Sequence, residues 1–295
     1  MSQVARMLDD MLTRLLSGRL SHPAASEAPS LPDELRAEMA QAGLHLVLAP
    51  EEKGGFGCRM TEAATVAWRC GWHAAPVPIV EMLLTPVLRT ELGLGLDSDV
   101  ALVHPTPDYS PEADKTSQPR MPVLSVRGQN IPIPRHIAAK GMLLHTALMT
   151  GAMAKVVEIT ADYARTRVQF GRPLAKFQAT QHALAEAGSE LAVTEAALAA
   201  ALEAEDEGRG SELLRLSAKA QAGVAATVIA ATSHQVFGAI GFTQEHELQR
   251  YTRSLWAWRD EWGRQAACNL SLGRAACSES KGLWPYLTDE ARIIA

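Results

Sequence analysis

The sequence lacks most of the features that would reveal a chemistry at first sight. Four cysteines, Cys58, Cys70, Cys268 and Cys277, are scattered through 295 residues with no CxxC pair. Such thiols act as small buried hydrophobes in a reducing compartment, so the cytoplasm is the expected location. Nine histidines are spread out without an HExxH or Cys/His cluster, so no metal site is expected. No uninterrupted apolar run of about 18 residues occurs, and no membrane span is expected. The opening stretch MSQVARMLDDMLTRLL carries Asp9 and Asp10, unlike a signal or transit peptide. A net charge of -5 argues against a nucleic-acid partner, which needs a basic surface, but leaves room for a small anion held by one or two arginines. Aromatics are only 5% of the chain, while Ala and Leu abound, which favours helices over sheets.

Three zones follow one another. In residues 1–92, Val4, Met7, Leu8, Met11, Leu12, Leu15 and Leu16 recur at helical spacing. Further helices are expected at Leu31–Ala42, with Pro32 in its first turn and Gly43 past its end, at Thr61–Cys70 and at Val80–Leu92. Between them Ala49–Gly57 is too glycine-rich for regular structure. Residues 93–135 hold seven prolines and two strand-like pieces, Val100–His104 and Val123–Val126, around an irregular loop at Pro105–Pro119. Residues 136–278 return to long helices, expected at His136–Thr166, Phe177–Glu207, Ser211–Phe237 and Glu245–Ala276. Short links between long helices imply an antiparallel four-helix bundle. Residues 279–295 read as a loosely docked tail. The fold class is therefore mainly α: an N-terminal helical domain, a vestigial β middle segment and a C-terminal bundle.

The most informative stretch joins the first two bundle helices. It runs Arg167, Gln169, Phe170, Gly171, Arg172, Pro173, Leu174, Phe177, Gln178, Gln181, and its Gly and Pro stop one helix and turn the chain. By itself the turn admits a plain reading, in which Arg165, Arg167 and Arg172 are cations favouring a helix C-terminus. The whole string resembles the signature R-x-x-F-G-x-P-L-x-x-F-Q-x-x-Q of the acyl-CoA dehydrogenase family. A second stretch, Gln235, Gly238, Ala239, Gly241 and Phe242 followed by His246, Leu248, Arg250, Tyr251 and Arg253, resembles that family's Q-x-x-G-G-x-G-[FY] and H-x-L-x-R-Y-x-R segments, with Ala239 in place of a glycine. Ala42–Gly57 resembles its G-L-x-x-x-x-x-P-E-x-x-G-G-x-G segment.

The resemblance implies FAD as cofactor and an acyl-CoA as substrate. Arg167 would bind the FAD phosphates across a subunit interface, where a guanidinium's fixed donor fork suits a pyrophosphate. Phe170 would pack on the flavin, Gln178 would hydrogen-bond the cofactor, Gln235 would bond to its adenosine end, Gly238 would allow close backbone approach, and Gln169 is a further cofactor-binding candidate. These are the groups that the family donates to a neighbour's flavin. The half that builds a subunit's own site is missing, because about forty middle residues supply too few strands to close a barrel and no T-E-P-x-x-G-S-D segment occurs. The family's catalytic base is a glutamate that removes the α-proton while flavin takes the β-hydride. Its position falls on Trp262, with Glu261 one residue early and so about 100° round a helix; the alternative position falls near Gly141. Glu261 is the one candidate base, although Asp260 and Glu261 also read as helix-surface carboxylates paired with Arg259 or Arg264.

Three readings stand at this level. The first is a small subunit completing the flavin site of a larger acyl-CoA dehydrogenase partner, in an α2β2-type hetero-oligomer that passes electrons to an acceptor protein. The second is a homo-oligomer using Glu261, and the third is a structural subunit without flavin. Trp256, Trp258 and Trp262 are expected to serve packing, and His182 and His234 have no catalytic context.

Overall fold

Alanine, leucine and glutamate at helical spacing drive most of the chain into helices, while valines recur in the first two strands, VALV and VLSV. The computed structural model describes residues 1–20, 30–96, 98, 100–103, 122–126, 129–278, 284 and 288. Helices α1 (Gln3–Leu20), α2 (Leu31–Gln41), α3 (Met60–Trp72) and α4 (Ile79–Glu91) form the first unit. Pro32 opens α2, and Gly43, at φ 77°, lies just past its end. Strands β1 (Val100–Val103), β2 (Val123–Val126) and β3 (Gln129–Pro132) make one antiparallel sheet in that order. Val100, Leu102 and Leu124 turn into the core. The loop expected at Pro105–Pro119 and nearly all of the tail lie outside the described residues.

The bundle consists of α5 (Arg135–Thr166), α6 (Gln178–Asp206), α7 (Glu212–Phe237), α8 (Leu248–Arg259) and α9 (Gln265–Ser278). Two expectations need correction. β3 is not among the expected strands, because Pro132 counts against one; among the described residues it is an edge strand paired only with β2, where a missing N–H does no harm. The last bundle helix is not continuous but breaks between Arg259 and Gln265, where Trp262 and Gly263 take φ 52° and 123°. In addition, α5 and the stretch Glu212–Phe242 are long and apolar enough, on average, to cross a membrane. Scattered Thr, Ser and His residues interrupt their apolar runs, and here both helices pack within the bundle.

The two helical units meet backbone to backbone. A Cβ on Gly71 of α3 would lie 1.8 Å from the Leu148 carbonyl oxygen, and one on Gly151 of α5 would lie 1.9 Å from that of Trp68. Only paired glycines permit a crossing this close. Asp206, at the end of α6, adds a polar clasp: its carboxylate accepts hydrogen bonds from the Met60 and Thr61 N–H groups (2.6 and 3.1 Å) and the Thr61 hydroxyl (2.7 Å). A carboxylate there satisfies free donors at the start of α3 and favours its dipole.

Candidate functional site

One end of the bundle gathers the residues of both signature stretches. Between α5 and α6 the chain forms a two-residue hairpin, β4 (Val168–Gln169) on β5 (Arg172–Pro173). Its corner residues, Phe170 and Gly171, have φ of 51° and 78°, the positive angles that match hairpin twist. Phenylalanine rarely adopts that conformation, which costs about 1–3 kcal/mol. The Phe170 ring stands out in solvent, 90% exposed, edge-on to Phe177 with 6.2 Å between ring centroids.

The three arginines of this turn have different surroundings. Arg165 is tied to Asp162 at 2.6 Å, and Arg172 lies over the Phe177 ring at 4.1 Å. Arg167 is exposed and has no side-chain hydrogen bond or ion pair among the described residues. The plain helix-end reading therefore accounts for its neighbours and leaves Arg167 over. Gln169 and Gln178 are exposed beside it, while Gln181 Nε2 donates to the Ala175 carbonyl (2.9 Å) and braces the turn.

The end of α7 completes this surface. Gln235 is exposed on the last turn, and Gly238 takes φ 65° and ψ −142°, a region open to glycine. Tyr163 stacks on Phe237 at 4.2 Å, and Phe237 contacts His246 at 4.4 Å, so the ends of α5 and α7 are held together. His234 is a packing group, as its context suggested. It stacks between Phe242 and Trp256, lies 3.0 Å from the Thr252 hydroxyl, and is pushed toward the neutral form by burial.

Glu261 departs from expectation. It lies in the break after α8 rather than on a helix surface, so the argument from a 100° helical step does not apply to it. Asp260 does pair with Arg259 and Arg264, at 3.7 and 3.8 Å. Glu261 instead sets its Oε2 3.4 Å from Nε2 of buried His145, and its side chain is 23% exposed. Behind His145 stands buried Lys219, whose Nζ lies 3.2 Å from His145 Nδ1, 3.1 Å from the Trp258 carbonyl oxygen and 3.3 Å from Met149 Sδ. When charged, Lys219 donates to Nδ1, which leaves the imidazole proton on Nε2, facing Glu261. Burial pulls the Lys219 pKa down from 10.5 to about 8, against the pull of Cys268, Glu261 and Asp260. Neither Lys219 nor His145 was nominated from sequence, though a lysine between Ala218 and Ala220 on a buried helix face was a legible signal.

Trp262 is fully buried, as packing would have it. Its Nε1–H donates to Glu81 Oε1 at 2.9 Å, and its ring lies on Gly141, where a Cβ would come within 1.8 Å of Cζ3. The two positions marked by family resemblance for a base are thus in contact, and neither carries a carboxylate. Among the described residues there is no group of three or more His, Cys, Asp or Glu residues suited to a metal.

Comparison with known proteins identifies relatives of the sequence and of the fold. Residues 138–259 match the family model described as acyl-CoA dehydrogenase, C-terminal domain. The chain is 27% identical over 290 residues to acyl-CoA dehydrogenase IpdE2 of Mycolicibacterium smegmatis, covering 85% of this chain and 92% of that protein. It is 27% identical over 248 residues to IpdE2 of Mycobacterium tuberculosis, covering 72% and 76%. Its fold matches a chain of the ChsE4-ChsE5 complex from Mycobacterium tuberculosis with a TM-score of 0.77 at 18% identity, over 95% of this chain and 98% of that one. Sequence signatures, helical architecture and relatives converge on the acyl-CoA dehydrogenase family: residues 138–259 match its C-terminal domain, and the chain is similar to its members over most of its length.

Proposed function

We propose that this chain is the smaller subunit of an FAD-dependent acyl-CoA dehydrogenase, and that it completes the flavin site of a larger family member across their interface. The observation that carries this reading is Arg167, exposed and unpaired among the described residues, beside a phenylalanine held outward in a strained backbone. Side chains that point away from their own core at such a cost suit a site on another molecule. A free guanidinium fits a pyrophosphate, an exposed aromatic face fits a flavin ring, and Gln169, Gln178, Gln235 and the Gly238 backbone supply hydrogen bonds. When bound, FAD supplies hydride acceptance from the β-carbon of the acyl-CoA, which becomes the α,β-unsaturated thioester. This chain's residues would bind and orient the cofactor.

The partner would supply the base, the remainder of the flavin bed and the route to an electron-acceptor protein. Glu261, turned onto His145, and Trp262, seated on Gly141, favour a base from elsewhere. Among the described residues, the middle sheet's three strands fall short of a barrel that could cradle a flavin. The ChsE4-ChsE5 complex, one chain of which shares this fold, supports a heteromeric assembly, for which we propose an α2β2 arrangement in the cytoplasm.

The test is flavin absorbance of the chain purified alone and after co-expression with a full-length homologue. The expected result is colourless alone and yellow together. Within the complex, Arg167→Ala is expected to weaken FAD retention by about 10- to 100-fold, the worth of a charged hydrogen bond of about 1.5–3 kcal/mol. Glu261→Gln is expected to leave turnover intact. Unchanged flavin retention in Arg167→Ala would remove the interface-donor role.

A further inference from the structure

We infer that Trp262 closes this chain's own acyl chamber from within, so that the acyl-CoA of the complex is taken by the partner alone. The inference rests on the family reading above but uses a different part of the molecule. In an acyl-CoA dehydrogenase the base must reach the α-carbon of the substrate, so the space beside the base positions is where the acyl group lies. Here the positions are 262 and 141, at the junction of α4, α5 and the α8–α9 break. The indole fills the space between them. It is fully buried, belongs to the core cluster that joins the first unit and the sheet to α5, α6 and α7, and donates to Glu81 at 2.9 Å. Cβ, if added to Gly141, would overlap three ring atoms, at 1.8, 2.2 and 2.4 Å. No room remains for an acyl chain at that point.

The ring is held in place by more than fit. The Trp262 backbone lies at φ 52°, where an L side chain is strained, so the surroundings must over-determine it. Lys219 supplies part of that determination by donating to the Trp258 carbonyl at the end of α8. Glu261, the residue before the tryptophan, is drawn toward His145. Both contacts turn the chain out of the helical path and drive residue 262 into the junction. Trp262 is thus a residue that excludes substrate rather than one that handles it.

Paired substitutions in the co-expressed complex test this. Gly141→Ala alone should lower the thermal midpoint, because the new methyl group overlaps the indole, although alanine otherwise favours a helix interior over glycine. In a Trp262→Gly background the same change should be neutral or raise the midpoint; additive losses would overturn the inference. Indole added to the Trp262→Gly complex should raise its midpoint by refilling the cavity and leave the wild type unmoved; no response would likewise overturn it. With indole present, the Trp262→Gly complex should keep its flavin and turn over within about twofold of wild type. A loss of about tenfold or more would place reacting groups at the junction and refute the closed chamber. Octanoyl-CoA should not bind the wild-type chain alone, and saturable binding would also refute it. A wild-type complex without flavin would instead defeat the functional reading, leaving the indole and double-substitution results to stand on their own.

Discussion

Lys219 places a titratable cation inside the bundle, and its replacement by methionine gives a prediction with a definite sign. The lysine is 1% exposed, and burial lowers its pKa from 10.5 to about 8. That fall is worth about 3–4 kcal/mol at about 1.4 kcal/mol per tenfold change in proton affinity. Because the folded form gives up its proton first, the unfolded chain binds more protons between pH 8 and 10.5, and stability rises with pH across that window. The penalty of burying the ammonium is fully present below pH 8 and is released as pH climbs toward 10.5. Lys219→Met removes this penalty but leaves the Trp258 carbonyl and His145 Nδ1 without their donor, a loss of about 1–3 kcal/mol. Near neutral pH the two effects nearly cancel.

The assay is urea unfolding followed by tryptophan fluorescence, wild type against Lys219→Met, from pH 7 to 10. Absolute profiles bend for other reasons. Burial pushes Cys70 up to about 12 and raises Cys268, so both thiols make the fold lose stability above their ordinary value of 9.0. Cys70 lies away from the lysine and cancels in the difference, whereas Cys268 feels the Lys219 charge, so the test reads most cleanly below pH 9. The wild type should gain on the variant by about 1 kcal/mol between pH 8 and 9. A difference that stays constant with pH would refute the reasoning, since it would mean that the ammonium is not desolvated.

Two further outcomes are expected. Asp206→Ala should cost about 2 kcal/mol in urea unfolding, because three donors at the start of α3 lose a charged acceptor. Phe170→Gly should raise the chain's stability by up to about 1 kcal/mol through relief of its positive φ, while lowering FAD retention in the complex. Stability and flavin retention moving together in that variant would show that the exposed ring serves the fold instead.

Most helices were legible because each carries its own apolar period and its own stop signals. Pro32 and Gly43 bracket α2, and Gly171 with Pro173 ends α5 close to where the pattern stops. β3 was hidden because Gln129, Asn130 and Pro132 carry no strand signal of their own; its edge place beside β2 decides it. The cofactor-type residues were legible as a string that singles out Arg167, whereas the turn's composition by itself does not separate Arg167 from Arg165 and Arg172. That distinction depends on which arginine finds Asp162 and which finds the Phe177 ring, and so on side-chain geometry around a turn.

The break at Asp260–Arg264 shows why the rest could not be read locally. The sequence on either side is compatible with one long helix, and a single glycine, Gly263, is weak ground for dividing it. What divides it is a set of distant partners: Lys219 on the Trp258 carbonyl, His145 facing Glu261, and a glycine at 141 small enough to receive an indole. Each is unremarkable where it stands in the chain. Gly141 in particular reads as a mild defect in a helix, about 1 kcal/mol worse than alanine. In the folded chain it is the complement of Trp262, and the absence of a carboxylate at one position and the presence of an indole at the other become a single structural fact. A substitution at either residue should therefore be judged only against the other.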